Sequence, residues 1–142
     1  GMAVRRTDAT EAFIGFQQAR GKCVERLDIV SDPPGGPYDA VVALYVLQHV
    51  GRGGLPAVLQ AIAQSLREGG AFLFSIREGF GEIVEQGTKG GRYFIALWRM
   101  PELVGMLAPL GLTLAWSTSL DDSEGRWLML LLRKTPQDQA VG

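Results

Sequence analysis

The sequence predicts an α/β fold: a mostly parallel sheet sandwiched between helical layers in three layers, with an antiparallel hairpin at its C-terminal end. Three observations carry this. Strand-like and helix-like segments alternate through the first three-quarters of the chain, as they do in α/β folds. Asp39 to Leu47 is a nearly continuous apolar run without strict alternation, the pattern of a parallel strand covered on both faces. Asp121-Asp-Ser-Glu-Gly125 separates the last two apolar runs in the manner of a hairpin turn. The 142 residues, 46% of them apolar, are enough for one core. A single domain is expected over residues 1–134, with a flexible tail at 135–142.

The elements follow in order. Gly1-Met2 reads as a residual tag glycine followed by a start methionine. Met2 to Thr7 is a short strand weakened by Arg5 and Arg6. Asp8-Ala-Thr-Glu11 has capping-box spacing, in which side-chain oxygens accept the orphan amides of a first helical turn. Phe13 and Phe16 share a face of the helix that follows, and Gly21 stops it. Cys23 to Ile29 is a second strand, and Ser31 to Pro37 a proline- and glycine-dense turn.

After the Asp39–Leu47 strand, Gly51-Arg-Gly-Gly54 is a loop. It has neither the lysine nor the spacing of a phosphate-binding loop, so it gives only a faint hint of anion binding at a helix start. Leu55, Val58, Leu59, Ile62 and Leu66 then recur at helical spacing, with Pro56 early and Gly69-Gly70 behind. Ala71 to Ile76 is another buried strand. Arg77 to Arg99 is a long polar, glycine-bearing stretch. Pro101 opens a helix whose Leu103, Met106, Leu107 and Leu110 share a face, and Gly111 ends it. Leu112–Thr118 and Arg126–Arg133 are the hairpin strands.

Composition excludes several function classes. Fourteen basic residues against fifteen acidic ones leave a net charge of −1, so nothing asks for nucleic acid or an anionic membrane as partner. With one cysteine, Cys23, and one histidine, His49, there is no intrachain disulfide and no Cys/His cluster for zinc. Cys23 reads as a buried strand residue. No metal site is expected. The longest apolar run, Trp127 to Leu132, is far too short to span a bilayer, and no signal peptide is visible. The expected compartment is the cytoplasm.

Tyr38-Asp-Ala-Val-Val-Ala-Leu-Tyr-Val-Leu-Gln-His-Val50, followed after one helix by Leu66-Arg-Glu-Gly-Gly-Ala-Phe-Leu-Phe-Ser75, resembles the central strand pair of the class I S-adenosylmethionine-dependent methyltransferases. Glu68 stands where that family usually has proline. Val4–Asp8 looks like the family's second strand and Leu27-Asp-Ile29 like the end of its third. Downstream, Arg77–Glu82, Arg92-Tyr-Phe94 and Trp127-Leu-Met129 resemble a bacterial branch acting on small molecules. The resemblance covers nearly the whole chain. It implies a Rossmann-like three-layer α/β/α sandwich that is N-terminally truncated. The family's first strand, its GxGxG loop and the helix behind it precede the position of Met2. The first strand lies between the second and fourth, so its absence leaves three expectations: Met2–Thr7 pairs directly with Asp39–Tyr45, another copy donates a strand, or the sheet is damaged. Exposed strand edges favour a homodimer.

The resemblance also implies site roles, each with a plainer alternative. Asp8 would accept hydrogen bonds from the cofactor ribose, or simply cap a helix with Glu11. Asp28 and Ile29 would face the adenine, or Asp28 is a solvated strand end. His49, just past a buried strand where open α/β sheets bind ligands, is a candidate base for the acceptor, or a structural histidine of the loop. Arg77, Glu78, Arg92, Tyr93 and Trp127 would line the acceptor pocket, the arginines suiting a carboxylate or phosphate, or they belong to a surface loop with ordinary ion pairs. Phe94 and Trp98 read as packing. The cofactor implied is S-adenosylmethionine and the partner a small-molecule acceptor. Two alternatives stay open: a non-catalytic scaffold of the same fold acting by self-association or ligand binding, and a fragment of another nucleotide-binding protein such as an NAD-dependent enzyme.

Overall fold

The computed structural model describes residues 7–8, 25–26, 34–44, 46–86, 92–123 and 125–136. The chain divides into two compact units, Gly1–Pro34 and Gly35–Gly142. In the first, β1 (Thr7–Asp8) pairs in parallel with β2 (Glu25–Arg26). The expected helix between Asp8 and Gly21 lies outside the described residues, as do Cys23, Asp28 and Ile29.

The second unit holds a four-stranded sheet in the order β3-β4-β8-β7. β3 (Tyr38–Ala43) runs parallel to β4 (Leu66–Arg77). β8 (Gly125–Lys134) lies antiparallel between β4 and β7 (Leu112–Asp122). The expected hairpin is present, four residues longer on β7 than the sequence pattern suggested. Gly125, at φ +133°, adopts a backbone conformation that costs only glycine nothing. The mostly parallel sheet is not what forms here: of the three pairings in this sheet, two are antiparallel. β3 is an edge of the sheet among the described strands, and β1 pairs with β2.

Cross-strand partners sort the side chains onto two faces. Phe72, Phe74 and Ile76 on β4 stand opposite Leu132, Leu130 and Leu128 on β8, and all six are buried. Phe72 and Phe74 stack with ring centroids 4.9 Å apart, which their i, i+2 spacing on one face of a strand allows. Against this face lie helix α1 (Leu55–Ser65) and helix α2 (Met100–Leu107). α1 presents Leu55, Val58, Leu59 and Ile62, and α2 presents Leu103 and Leu107, each buried. Lys134, on the same face as Leu132, ties down the end of α1. Its ammonium donates to the Ala63 carbonyl at 2.6 Å, which also accepts from the Leu66 amide, and to the Leu66 carbonyl at 2.8 Å. Both described helices thus sit on one side of the sheet. The other face carries Val42, Trp116 and Leu120, which are 62%, 50% and 61% exposed.

Three sequence expectations are corrected. The strand expected to run to Leu47 ends at Ala43, and Leu47–His49 form a single 3-10 turn. Leu47 is apolar because it plugs the core from that turn, at 0% exposure, and not because it continues a strand. Coverage on both faces of β3 is not observed either, since Val42 is largely exposed. The Arg77–Arg99 stretch is no plain loop: β5 (Glu82–Gln86) and β6 (Arg92–Ala96) form an antiparallel hairpin within it.

α1 starts behind Pro56 in its first turn and stops where Leu66 turns extended. Gly69-Gly70, expected between helix and strand, lies inside β4, where the pairing jumps from Tyr38–Leu66 to Ala40–Ala71. A Cβ on Gly70 would stand 2.8 Å from the Arg67 carbonyl oxygen, so the tight fold-over requires glycine. Beyond β8, Thr135 does not fray. Its amide and its hydroxyl both donate to the Gly111 carbonyl, at 2.8 and 3.0 Å.

Candidate active site

β3 and β4 are parallel, so their C-terminal ends lie on one side of the sheet. That is the side where open α/β sheets hold ligands. Here the turn after β3 brings Gln48 and His49 toward the β5–β6 hairpin. His49 is exposed, and its Nδ1 lies 3.3 Å from the Phe94 carbonyl oxygen on β6. Its Nε2 lies 3.4 Å from the amide nitrogen of Gln48, a side chain otherwise buried.

The next residues form a knot that sequence reasoning missed. The Arg52 backbone amide donates to Glu82 on β5 at 2.8 Å. Its guanidinium donates to the Leu97 carbonyl and to the Glu102 carboxylate on α2. The same group stacks over the buried indole of Trp98 with 4.0 Å to the ring centroid, a placement that suits a planar, weakly hydrated cation. Glu102, the third residue of α2, also accepts from the Arg99 backbone amide at 3.1 Å. The Arg52 hydrogen bond holds the Glu102 carboxyl below its ordinary 4.5; partial burial opposes this, and the Arg99 amide and both arginine charges reinforce it. The Gly51–Gly54 segment is therefore a loop whose one cation is engaged by protein groups. Nothing in the sequence pairs Arg52 with Glu102, fifty positions away.

Arg77 closes the end of β4. It is 6% exposed, and its guanidinium donates to Glu85 on β5 at 2.6 Å. It also sits 5.7 Å from the Trp127 ring centroid. Glu78 follows it: its amide donates to the Arg126 carbonyl at 2.8 Å, and its carboxylate lies 3.6 Å from the Arg126 guanidinium. Arg126 also donates to the Ser119 hydroxyl at 2.9 Å. Glu78, Ser119 and Arg126, with Met100, Ser117 and Leu128 but not Arg77 or Trp127, line an open hollow of about 300 Å³ beside the start of α2.

The structure thus brings His49, Arg77, Glu78 and Trp127 to one end of the sheet. Arg92 and Tyr93 lie in β6, opposite Gln86 and Glu85, and their side chains lie outside the described residues. Asp8 closes β1, the strand-end position expected of a ribose-binding carboxylate, with its side chain likewise outside the described residues. Leu44 and Val46, 37% and 46% exposed just past β3, add an apolar rim beside the turn that carries His49.

No protein-family model matches the chain, and no curated protein sequence does. Solved structures do. A SAM-dependent methyltransferase from Methanosarcina mazei superposes with a TM-score of 0.79 at 11% identity, over 92% of this chain and 81% of that one. The chain has the class I S-adenosylmethionine-dependent methyltransferase fold. Two other enzymes with this fold were solved with S-adenosylhomocysteine bound. The 1,6-didemethyltoxoflavin-N1-methyltransferase of Burkholderia thailandensis gives a TM-score of 0.66 at 20% identity, over 92% of this chain and 60% of that one. The magnesium protoporphyrin IX methyltransferase of Synechocystis gives 0.72 at 17%, over 95% and 65%. The chain therefore spans less than two thirds of these last two methyltransferases. No described helix is long and apolar enough to cross a membrane.

Proposed function

We propose that this chain is the acceptor-side part of an S-adenosylmethionine-dependent methyltransferase for a small molecule. The observation that carries the reading is β8, an antiparallel strand seated between β4 and β7, in a chain similar to solved methyltransferases over nearly all its length. A dinucleotide-binding sheet of the NAD type is built from parallel strands, and an inserted antiparallel strand argues against that alternative.

The cofactor would supply an activated methyl group, so the protein's own tasks are to orient the acceptor, exclude water and accept a proton. We assign the proton to His49, whose ring is exposed in the turn after β3. Asp8, with Asp28 and Ile29, is assigned to the adenosine by resemblance. Arg77 acts indirectly in this reading: its charge is matched by Glu85, so it holds the hairpin over the site instead of receiving an anion. Glu78, Arg92, Tyr93 and Trp127 are assigned to the acceptor side. The setting we propose is cytoplasmic, and the partner copy a homodimer formed through exposed strand edges.

The test is a titration of the isotope-labelled chain with S-adenosylhomocysteine, followed by amide chemical shifts. Millimolar ligand is expected to move the Leu44–Gly51 amides, while NAD leaves them in place. Because the chain's own sequence contains no GxGxG motif, binding is expected to be weak. Ligand at a concentration near Kd stabilises by only about 0.4 kcal/mol, a rise in Tm of about 2 °C. Unmoved amides, or equal movement with NAD, would sink the methyltransferase reading. A rise of many degrees would instead show that the glycine-rich loop is dispensable for tight binding.

A further inference from the structure

We propose that the Phe94 carbonyl holds His49 in its Nδ1–H tautomer, leaving Nε2 as the proton-accepting nitrogen, and that Arg52 is the positioning residue that keeps this carbonyl in place. The first half follows from what a main-chain carbonyl can do. It only accepts, and it cannot be turned around as a side-chain amide can. With Nδ1 3.3 Å from it, an unprotonated Nδ1 would set lone pair against lone pair. A protonated Nδ1 makes a hydrogen bond. The ring has one proton to place when neutral, so Nε2 carries the lone pair. The Gln48 amide nitrogen, 3.4 Å from Nε2, agrees with this, since an N–H group there needs an acceptor.

The second half follows from how little an exposed 3.3 Å hydrogen bond contributes alone. The carbonyl must be held by other means, and the described contacts converge on Arg52. Its backbone amide grips Glu82, the first residue of β5, and its guanidinium grips the Leu97 carbonyl just beyond the end of β6. Leu97 in turn donates its amide to the Gly81 carbonyl at 2.8 Å, closing the base of the hairpin. Stacking on Trp98 and the bond to Glu102 fix the guanidinium from the other side. Phe94 lies three residues before the gripped carbonyl, and its ring edge would meet a Cβ on Gly51 at 3.8 Å. Loop and hairpin are thus joined on both sides of His49.

This arrangement has a chemical consequence, which rests on the methyltransferase reading. When the acceptor's lone pair takes the methyl group, the bond from methyl to sulfur breaks and its electron pair stays on sulfur. The proton released by the acceptor O–H or N–H passes to Nε2, with the Gln48 amide turning its N–H away from that lone pair and its oxygen toward the new N–H. The resulting imidazolium keeps its Nδ1–H on the Phe94 carbonyl, now as a charge-assisted bond. The hairpin that covers the acceptor thereby also orients His49.

The tautomer can be read with no cofactor present. His49 is the chain's one histidine, so long-range proton–nitrogen correlation on tag-free, labelled protein above pH 8 reports it without ambiguity. The expected result is a protonated, pyrrole-type Nδ1 and an unprotonated, pyridine-type Nε2. The opposite pattern overturns the proposal. In Arg52→Ala the two nitrogen shifts should converge and then move toward the Nε2–H form, while unfolding stays cooperative. Arg52→Lys, which keeps the charge but loses the planar fork, should not restore the wild-type pattern. Should Arg52→Ala fail to fold, Glu82→Ala removes one grip at an exposed position and should shift the tautomer in the same direction, by less. A wild-type tautomer in these variants overturns the role given to Arg52. Neither result depends on S-adenosylhomocysteine, so failure here and failure of the methyltransferase reading are distinguishable.

Discussion

The two faces of the four-stranded sheet are made from similar residues and meet different surroundings. One face carries Phe72, Phe74 and Ile76 on β4 and Leu128, Leu130 and Leu132 on β8, all buried beneath α1 and α2. The other carries Val42, Leu73, Leu131 and Trp116 across the same four strands, with Val42 and Trp116 at least half exposed. Strand alternation distributes apolar residues to both faces; the helices bury one of them, and on the other the buried described residues, Ser75, Arg77 and Trp127, lie toward the C-terminal end of β4. Stability and chemistry are thereby separated. The helix-covered face holds the unit together, whereas the polar ties gather where the strands end.

The largest expected effect tests that asymmetry directly. Phe74→Ala should cost about 4 kcal/mol, as large-to-small changes in a packed core do. Trp116→Ala removes a larger side chain but should cost less than about 1 kcal/mol, because its ring already meets solvent. Urea midpoints at unchanged slope provide the comparison. Equal losses would mean that the open face is covered in solution. In that event the Trp116 penalty should fall on dilution, the signature of a second copy.

Arg77→Ala comes next. Removing the guanidinium leaves Glu85 without its ion-pair partner, but the Glu85 side chain is 37% exposed and can regain water. A loss of about 2 kcal/mol is expected, smaller than for a pair buried on both sides. Chemical shifts should change along β5 and leave β7 unmoved. A loss as large as that of Phe74→Ala would move Arg77 from the polar end of the sheet into the core proper.

The elements readable in the sequence were those whose signal is local. The helical spacing of Leu55 to Ile62, the strand Ala71–Ile76 and the Asp121–Gly125 turn each depend on residues within a few positions of one another. β5 and β6 were hidden because Ile83, Val84, Phe94 and Ile95 are few and glycines flank them, so their pairing shows only across the turn. Leu47 misled for the opposite reason: an apolar residue in a buried turn is indistinguishable from one more strand position. His49 could be singled out in the sequence because it follows a recognisable strand. Arg52 was not, because its meaning lies in Glu82, Leu97, Trp98 and Glu102, which reach it only through the tertiary fold.

The smallest expected effect is electrostatic and sits where the two regions meet, at the N-terminus of α2. Glu102 has a lowered pKa, chiefly through its hydrogen bond from Arg52. A carboxyl depressed in the folded state binds its proton more readily in the unfolded chain. Its stabilisation is therefore complete above the ordinary value of 4.5 and is lost as pH falls through the lower folded value. Wild type and Glu102→Gln should accordingly differ most at neutral pH, with wild type the more stable, and converge in acid. Gln has one acceptor oxygen where the carboxylate uses two, Oε2 for Arg52 and Oε1 for the Arg99 amide, so the difference at neutral pH contains one lost hydrogen bond as well as the charge. Because Arg52 is also tied to Leu97 and Trp98, the hairpin should stay in place in this variant and the His49 tautomer should not change. Parallel pH profiles for the two proteins would break the link between Glu102 and Arg52. An altered tautomer would show that the carboxylate, by its charge or its second acceptor oxygen, holds the loop against the hairpin.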